Sequence, residues 1–263
     1  MHRAPIRPKD SFHMSENTAE RVPEDGMRIN KYIAHCGVTS RRKADDLVED
    51  GRVRVNGEPV TEHGTQVQRG DRVEVNGEAI SLDAPAYFLV NKDKNTISTT
   101  DDPKGRDTVL DLLNVSQDEK EGLFPVGRLD RNTTGALLVT NDGDLAHRLM
   151  HPRYEIEKVY FVRTRQHVKP HQIDTLRRGV ELDDGPAAAD RVGYAGDTKN
   201  EIGLSLHEGR NRQVRRMMEA LGHDVVHLER PSYAGLTTEG LRRGHWRRLH
   251  EHEVGALHRL VNL

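Results

Sequence analysis

Asp130 stands between Arg128 and Arg131 in the stretch Gly127-Arg128-Leu129-Asp130-Arg131-Asn132-Thr133-Thr134-Gly135, ahead of the apolar run Ala136-Leu137-Leu138-Val139 and the turn Asn141-Asp142-Gly143. A carboxylate in a polar loop that leads into a buried strand reads as a reactive group held at the edge of a rigid sheet. The plainer alternative is a simple ion pair with Arg128 or Arg131. Two further blocks carry chemistry-bearing side chains. Lys158-Val159-Tyr160 places an ammonium and a phenol two residues apart on an apolar strand, where Tyr160 could equally be an ordinary core aromatic. The block Glu208-Gly209-Arg210-Asn211-Arg212-Gln213-Val214-Arg215-Arg216-Met217 crowds four arginines into a turn and a helix start, which taken alone reads as an RNA-binding patch.

These three blocks, in this order and at this spacing, resemble the RNA pseudouridine synthases. Gly127-Arg128-Leu129-Asp130, with Thr133, Gly135 and the Leu-rich strand, resembles that family's catalytic motif, and Lys158-Val159-Tyr160 its tyrosine motif. The arginine block resembles the arginine motif of the branch that modifies ribosomal RNA. The likeness runs from about residue 27 to about residue 249. One departure is Ala136, which stands where the family often has a bulkier leucine.

The resemblance implies a reaction that breaks the uridine N1–C1′ bond, turns the base, and rejoins it through C5 with loss of the C5 proton. No redox change occurs and no external group is transferred, so neither a cofactor nor a metal is implied. Asp130 is then the essential residue, ionised, acting at C1′, at C2′ or at C6 of the base. An anion beside an oxocarbenium-like centre is familiar from glycoside cleavage. Arg215 matches the arginine that pairs with the aspartate, and a cation within about 4–6 Å favours the charged carboxylate. Tyr160 is assigned stacking on a flipped uracil and candidacy as general base. Arg128 either fills the space that the flipped nucleotide vacates or binds its phosphate. Lys158 contacts phosphate or fixes the surroundings of Tyr160, while Arg210, Asn211, Arg212 and Gln213 are candidate RNA contacts. Thr133 and Thr134 are expected to shape the loop through side-chain bonds to nearby backbone.

Ahead of these blocks lies a smaller module. Ile29, Tyr32 and Ile33 mark a helical face that ends at Gly37; Ser40 is placed to cap a second helix with Ala44, Leu47 and Val48 on its apolar stripe. Val53 and Val55 alternate with arginines, Asn56-Gly57 is a tight hairpin turn, and further short strands follow through Val75. The helix-start triplet Arg41-Arg42-Lys43 opposes the macrodipole, which points to a phosphate partner. The arrangement resembles the S4 RNA-binding domain. The expected organisation is a disordered tail over residues 1–26, the S4 domain over 27–82, the synthase domain over 87–250 and a C-terminal extension over 251–263. Within the synthase region the pattern predicts strands at 87–92, 156–164 and 225–228, and helices at 108–113, 144–150 and 170–178. Residues 236–249 read as a polar extension. Many short strands with few helices give an α+β fold with a mixed, largely antiparallel sheet.

The net charge is −2, yet basic clusters at 41–43, 210–216 and 242–248 are segregated from acid at Asp183-Asp184 and 118–121. Segregation can make a basic face on a near-neutral protein. The longest apolar runs are far short of the roughly 20 residues of a spanning helix. Cys36 is the single cysteine, which excludes an internal disulfide and makes a reducing, cytoplasmic setting the default. The partner implied is ribosomal RNA, free or in an assembly intermediate, and the chain is expected to be a monomer. Asn141-Asp142-Gly143, Met150-His151-Pro152 and Gly244-His245-Trp246 are most similar to the synthases of large-subunit (23S) RNA, with the small-subunit (16S) type as runner-up. An inert S4-type binding or assembly protein is the alternative from another class. A pure binder has no use for Asp130, Tyr160 and Arg215 together. A glycosidase would need a second carboxylate with a clear acid role, and none stands out.

Overall fold

The computed structural model describes residues 22–263. The tail read over residues 1–26 therefore lies outside the described residues as far as position 21. Among the described residues, those up to Ala86 join Ser116–Leu123 in one compact unit, and Tyr87–Val115 with Phe124–Leu263 forms the other.

In the first unit β1 (Met27–Arg28) leads into α1 (Ile29–His35) and α2 (Arg41–Glu49). Ser40 accepts from the Lys43 amide, as the cap pattern predicts. Ile29, Ile33, Ala44 and Val48 pack on a sheet of β2 (Val53–Val55), β3 (Glu58–Val60), β5 (Val73–Val75) and β6 (Glu78–Ile80), while β4 (Gln66–Val67) pairs with β1. The sheet order is β3-β2-β5-β6 and all its pairs are antiparallel. Asn56 and Gly57 both have positive φ, 53° and 86°, the geometry of a two-residue hairpin turn. Val22 is buried in this core, and its carbonyl accepts from Arg69 Nε at 2.6 Å. The segment Ser116–Leu123, with α3 (Gln117–Lys120), also belongs here. A Cβ at Gly37 would lie 2.9 Å from the Gly122 nitrogen, so glycine permits that approach.

The second unit is built on a nine-stranded sheet. Its main path runs β13 (Arg191–Tyr194), β14 (Glu201–Leu206), β10 (Lys158–Thr164), β15 (Val225–Tyr233), β9 (Thr134–Thr140), β7 (Tyr87–Lys92) and β17 (Trp246–Arg248). The strands β8 (Phe124–Pro125) and β16 (Leu236–Thr237) pair with β9 and β15. Among the described strands only β15 and β9 run parallel, and they divide the sheet into two halves. One half carries α5 (Pro170–Arg178), α6 (Gln213–Ala220) and the separate hairpin of β11 (Val180–Leu182) and β12 (Gly185–Ala187). Ile173, Leu176, Met217 and Met218 close its core against Val162 and Ile202. The other half carries α4 (Gly143–Met150) and α7 (Glu251–Leu260), with Leu145, Leu149, Leu257 and Val261 packed on Leu89 and Leu138. The architecture is α+β with a mainly antiparallel sheet.

Two local expectations are corrected, and the C-terminal extension gains a structure. Residues 108–113 form consecutive turns rather than a helix: the Asp111 amide returns to the Thr108 carbonyl and the Leu113 amide to the Leu110 carbonyl, three-residue spans in place of four, while the Val109 amide donates to Ile97. The stretch 236–249 is part of the sheet, since Trp246–Arg248 pairs along Phe88–Val90 and the Trp246 ring packs edge-on against Phe88. Residues 251–260 are a helix that contributes Leu257 to the core.

Candidate active site

An open cleft of about 1220 Å³ lies in the second unit, lined by Arg128, Asp130, Tyr160, Arg212 and Arg230 among others. The loop that carries Asp130 is fastened from below. Leu129 is buried, its amide donates to Ser98 Oγ at 3.1 Å and its carbonyl accepts from the same hydroxyl at 3.0 Å. The Asn95 amide donates to the Arg131 carbonyl, and the Thr133 amide returns to the Asp130 carbonyl. Lys92, at the end of β7, is fully buried; its ammonium donates to the carbonyls of Asp93, Arg131 and Thr133 at 2.8, 3.3 and 2.9 Å. Burial pushes this lysine down to about 8, against the opposing pull of Asp93 and Asp130. Gly135 then admits the strand crossing. Its φ is +111°, and a Cβ there would stand 2.2 Å from the Arg230 carbonyl oxygen. Thr134 Oγ1 reaches the Leu228 carbonyl at 3.5 Å, whereas Thr133 Oγ1 is buried with no hydrogen-bond partner among the described residues. The bond to nearby backbone expected of the Thr133 side chain is absent.

Tyr160 and Lys158 share a face of β10 by strand alternation. Opposite them the ladder to β15 slips: Val159 pairs with Ser232 and Phe161 with Glu229, so Arg230 and Pro231 together face Tyr160. Proline cannot donate to a ladder, and the resulting bulge sets where the Tyr160 ring points. The ring is half-buried, packed on the Val162 side of the core while lining the cleft. Lys158 also lines the cleft; its Nζ donates to the carbonyls of Ile156 and His207, both at 2.7 Å, and burial pushes it down to about 8.

The arginine block divides its side chains. Arg215 is 12% exposed and its Nε lies 3.9 Å from Asp130 Oδ2; Arg212 Nη1 lies 3.8 Å from the same oxygen. These are charge contacts beyond hydrogen-bond length. Asp130 is 34% exposed, open to the cleft. Burial, and then the Arg212 charge, lower the proton affinity of Arg215, with Asp130 opposing. Arg210 and Arg216 are engaged elsewhere. Arg216 makes a bidentate pair with Asp184, both bonds 2.9 Å, and Arg210 bonds Glu208 and the hairpin carbonyls of Gly185 and Pro186. Arg216 holds the Asp184 carboxyl well below the usual carboxylate range. Gln213 is buried, accepting from the Arg210 amide and donating to Glu208. Of the expected RNA contacts, Arg128, Lys158, Arg210, Asn211 and Arg212 all line the cleft, Lys158 and Arg210 while also bonded to neighbouring carbonyls, and Gln213 is buried behind them. Arg41, Arg42 and Lys43 lie exposed on the first turn of α2, in the other unit.

Sequence reading missed Arg230. It is 3% exposed, donates through Nε and Nη2 to the Ala136 carbonyl at 3.0 and 2.8 Å, and lies 4.6 Å from the Tyr233 ring centre. Its only sequence signal is a cation at a buried alternation of the strand followed by Pro231. Lys92 and Ser98 were equally silent, because their partners lie 31 to 41 residues away.

Comparison with known proteins agrees with this geometry. The RNA pseudouridylate synthase family model matches residues 86–220, and the S4 domain model matches residues 27–73. The chain is 45% identical over 240 residues to the ribosomal large subunit pseudouridine synthase B of Bacillus subtilis, covering 89% of this chain and 97% of that protein. It is 36% identical over its whole length to the synthase of the same name from Xylella fastidiosa, of which it spans 57%. A crystal structure of a pseudouridylate synthase superposes with a TM-score of 0.63 at 28% identity, covering 88% of this chain and 99% of that one. With a cleft that gathers the aspartate, tyrosine and arginine blocks, and an S4 module ahead of it, the chain belongs to the RNA pseudouridylate synthase family.

Proposed function

We propose that the protein isomerises uridine to pseudouridine in ribosomal RNA of the large subunit, with Asp130 as the initiating carboxylate. The observation that carries the assignment is the convergence of Arg212 and Arg215 on one Asp130 oxygen at 3.8 and 3.9 Å, in a cleft that Tyr160 also lines. Two cations at that range orient the carboxylate while leaving it exposed to substrate. The choice of the large subunit follows the names of the relatives, 45% identical in Bacillus subtilis and 36% in Xylella fastidiosa.

A uridine flipped into the cleft stacks its base on Tyr160. Asp130 stands beside the sugar–base bond, where its charge stabilises the positive charge that develops as N1–C1′ breaks, or adds to it. The base turns, C5 bonds to C1′, and the proton from C5 leaves, with the Tyr160 phenol placed to relay it. Arg128, exposed at the mouth of the cleft, contacts the flanking phosphate or the gap in the stack. The triplet Arg41-Arg42-Lys43 provides a separate phosphate contact whose contribution falls as salt rises.

Release of tritium from C5-labelled uridine tests this reading. Wild-type protein is expected to release tritium from large-subunit RNA, naked or partly assembled, and Asp130→Asn to lose at least about a thousandfold in rate. Release from small-subunit RNA alone would move the assignment to that subunit. Binding without release from either RNA would replace the enzyme reading with that of an RNA-binding protein.

A further inference from the structure

We propose that Asp184 is a positioning residue for the isomerisation: from the turn between β11 and β12 it fixes Arg216 and Arg210, so that the two remaining arginines of the block, Arg212 and Arg215, are presented to Asp130. The inference rests on the reading of Asp130 as the initiating carboxylate.

The path from Asp184 to the cleft is a chain of direct contacts. Both Asp184 oxygens accept from the terminal nitrogens of Arg216 at 2.9 Å. The third nitrogen of that guanidinium, Nε, donates to the Asn211 carbonyl at 2.9 Å, and the Arg216 amide donates to the Arg212 carbonyl at 3.0 Å. The guanidinium, anchored on a carboxylate, therefore holds the peptide that precedes Arg212, while the Arg216 backbone amide holds the one that follows it as the first i→i−4 bond of the helix. That residue needs holding. Arg212 is at φ +48° and ψ 31°, a left-handed conformation that a side chain with a Cβ adopts only when its surroundings impose it. The same conformation turns the Arg212 side chain toward Asp130 and starts α6, on which Arg215 follows three residues later. Arg210 closes the other side, with Nη1 3.4 Å from Asp184 Oδ1 and 3.0 Å from the Gly185 carbonyl.

Asp184 is 47% exposed, and ion pairs so open contribute little to global stability. Its effect is expected on geometry at the cleft, which kinetics read and melting does not.

The experiment measures steady-state tritium release by the full chain for wild type, Asp184→Asn, Arg216→Lys and the double variant, with Asp130→Asn run alongside. Lysine keeps the charge but has one nitrogen in place of the fork that spans Asp184 and Asn211. Each single variant should lose roughly ten- to a hundredfold in kcat with KM within about twofold, at an unchanged unfolding midpoint. The double variant should lose no more than either single one, because one contact is cut from two ends. Wild-type kcat in either single variant, or losses that multiply in the double, would overturn the proposal. If Asp130→Asn is inactive while Asp184→Asn is fully active, only the role of Asp184 fails; if Asp130→Asn is fully active, the reading of Asp130 itself fails.

Discussion

Lys92 holds the Asp130 loop by donating to two of its backbone carbonyls, those of Arg131 and Thr133, at zero exposure, whereas the arginine turn facing it is held through Asp184, a carboxylate almost half exposed to solvent. One wall of the cleft is thus set by buried hydrogen bonds and close backbone contact, the other by ion pairs in water. Bonds of the first kind are costly to break and indifferent to salt; bonds of the second are weak singly and screened. The side that carries Asp130 is rigid by construction, and the cationic side is the one that anions in solution can compete for.

The largest way to break this contrast is Gly135→Ala. A Cβ 2.2 Å from the Arg230 carbonyl cannot be accommodated without parting β9 from β15, and the positive φ adds strain. Destabilisation of about 3 kcal/mol or more is expected in urea unfolding, with loss of activity. Lys92→Met comes next. It leaves buried carbonyls of the loop without their donor, and a loss of about 2–3 kcal/mol with a fall in kcat at constant KM is expected. Wild-type stability with normal kcat would show that the loop is held by something other than Lys92. The smallest effect sharpens the comparison without mutation. Raising salt from about 0.1 to 0.5 M should speed amide exchange at residues 210–216 and leave residues 129–134 unchanged. Equal responses would mean that both walls rest on the same kind of bond.

Much of the scaffold was legible because local signals sufficed. Tyr87–Lys92 falls at the residues read as a compact apolar strand and Pro170–Arg178 at those read as a helix, and Asn56-Gly57 turns as its residues require. Residues 108–113 misled for the converse reason: their leucines have helical spacing, but the segment is tied at its start to Ile97, whose carbonyl accepts from the Val109 amide and which bridges Thr108. The strand at 246–248 could not be read from itself, since its apolar partner Phe88 lies far away in sequence. The candidate site shows the same division. Asp130 and its motif were visible, while the sorting of four similar arginines was not, because it depends on a hairpin carboxylate 26 to 32 residues upstream. The acidic pair Asp183-Asp184 was read as one pole of a charge pattern; in the structure Asp184 is bonded to the arginines it was contrasted with.

Where Pro231 interrupts the ladder, β15 offers two residues to one on β10. The strand therefore carries a built-in datum. Sliding β10 by one place would turn Tyr160 and Val162 away from the core and cleft together, and the proline would then stand opposite a residue whose carbonyl awaits a donor it does not have. The place of the aromatic ring is in effect counted off from Pro231, so loops on either side of these strands can change length without moving it.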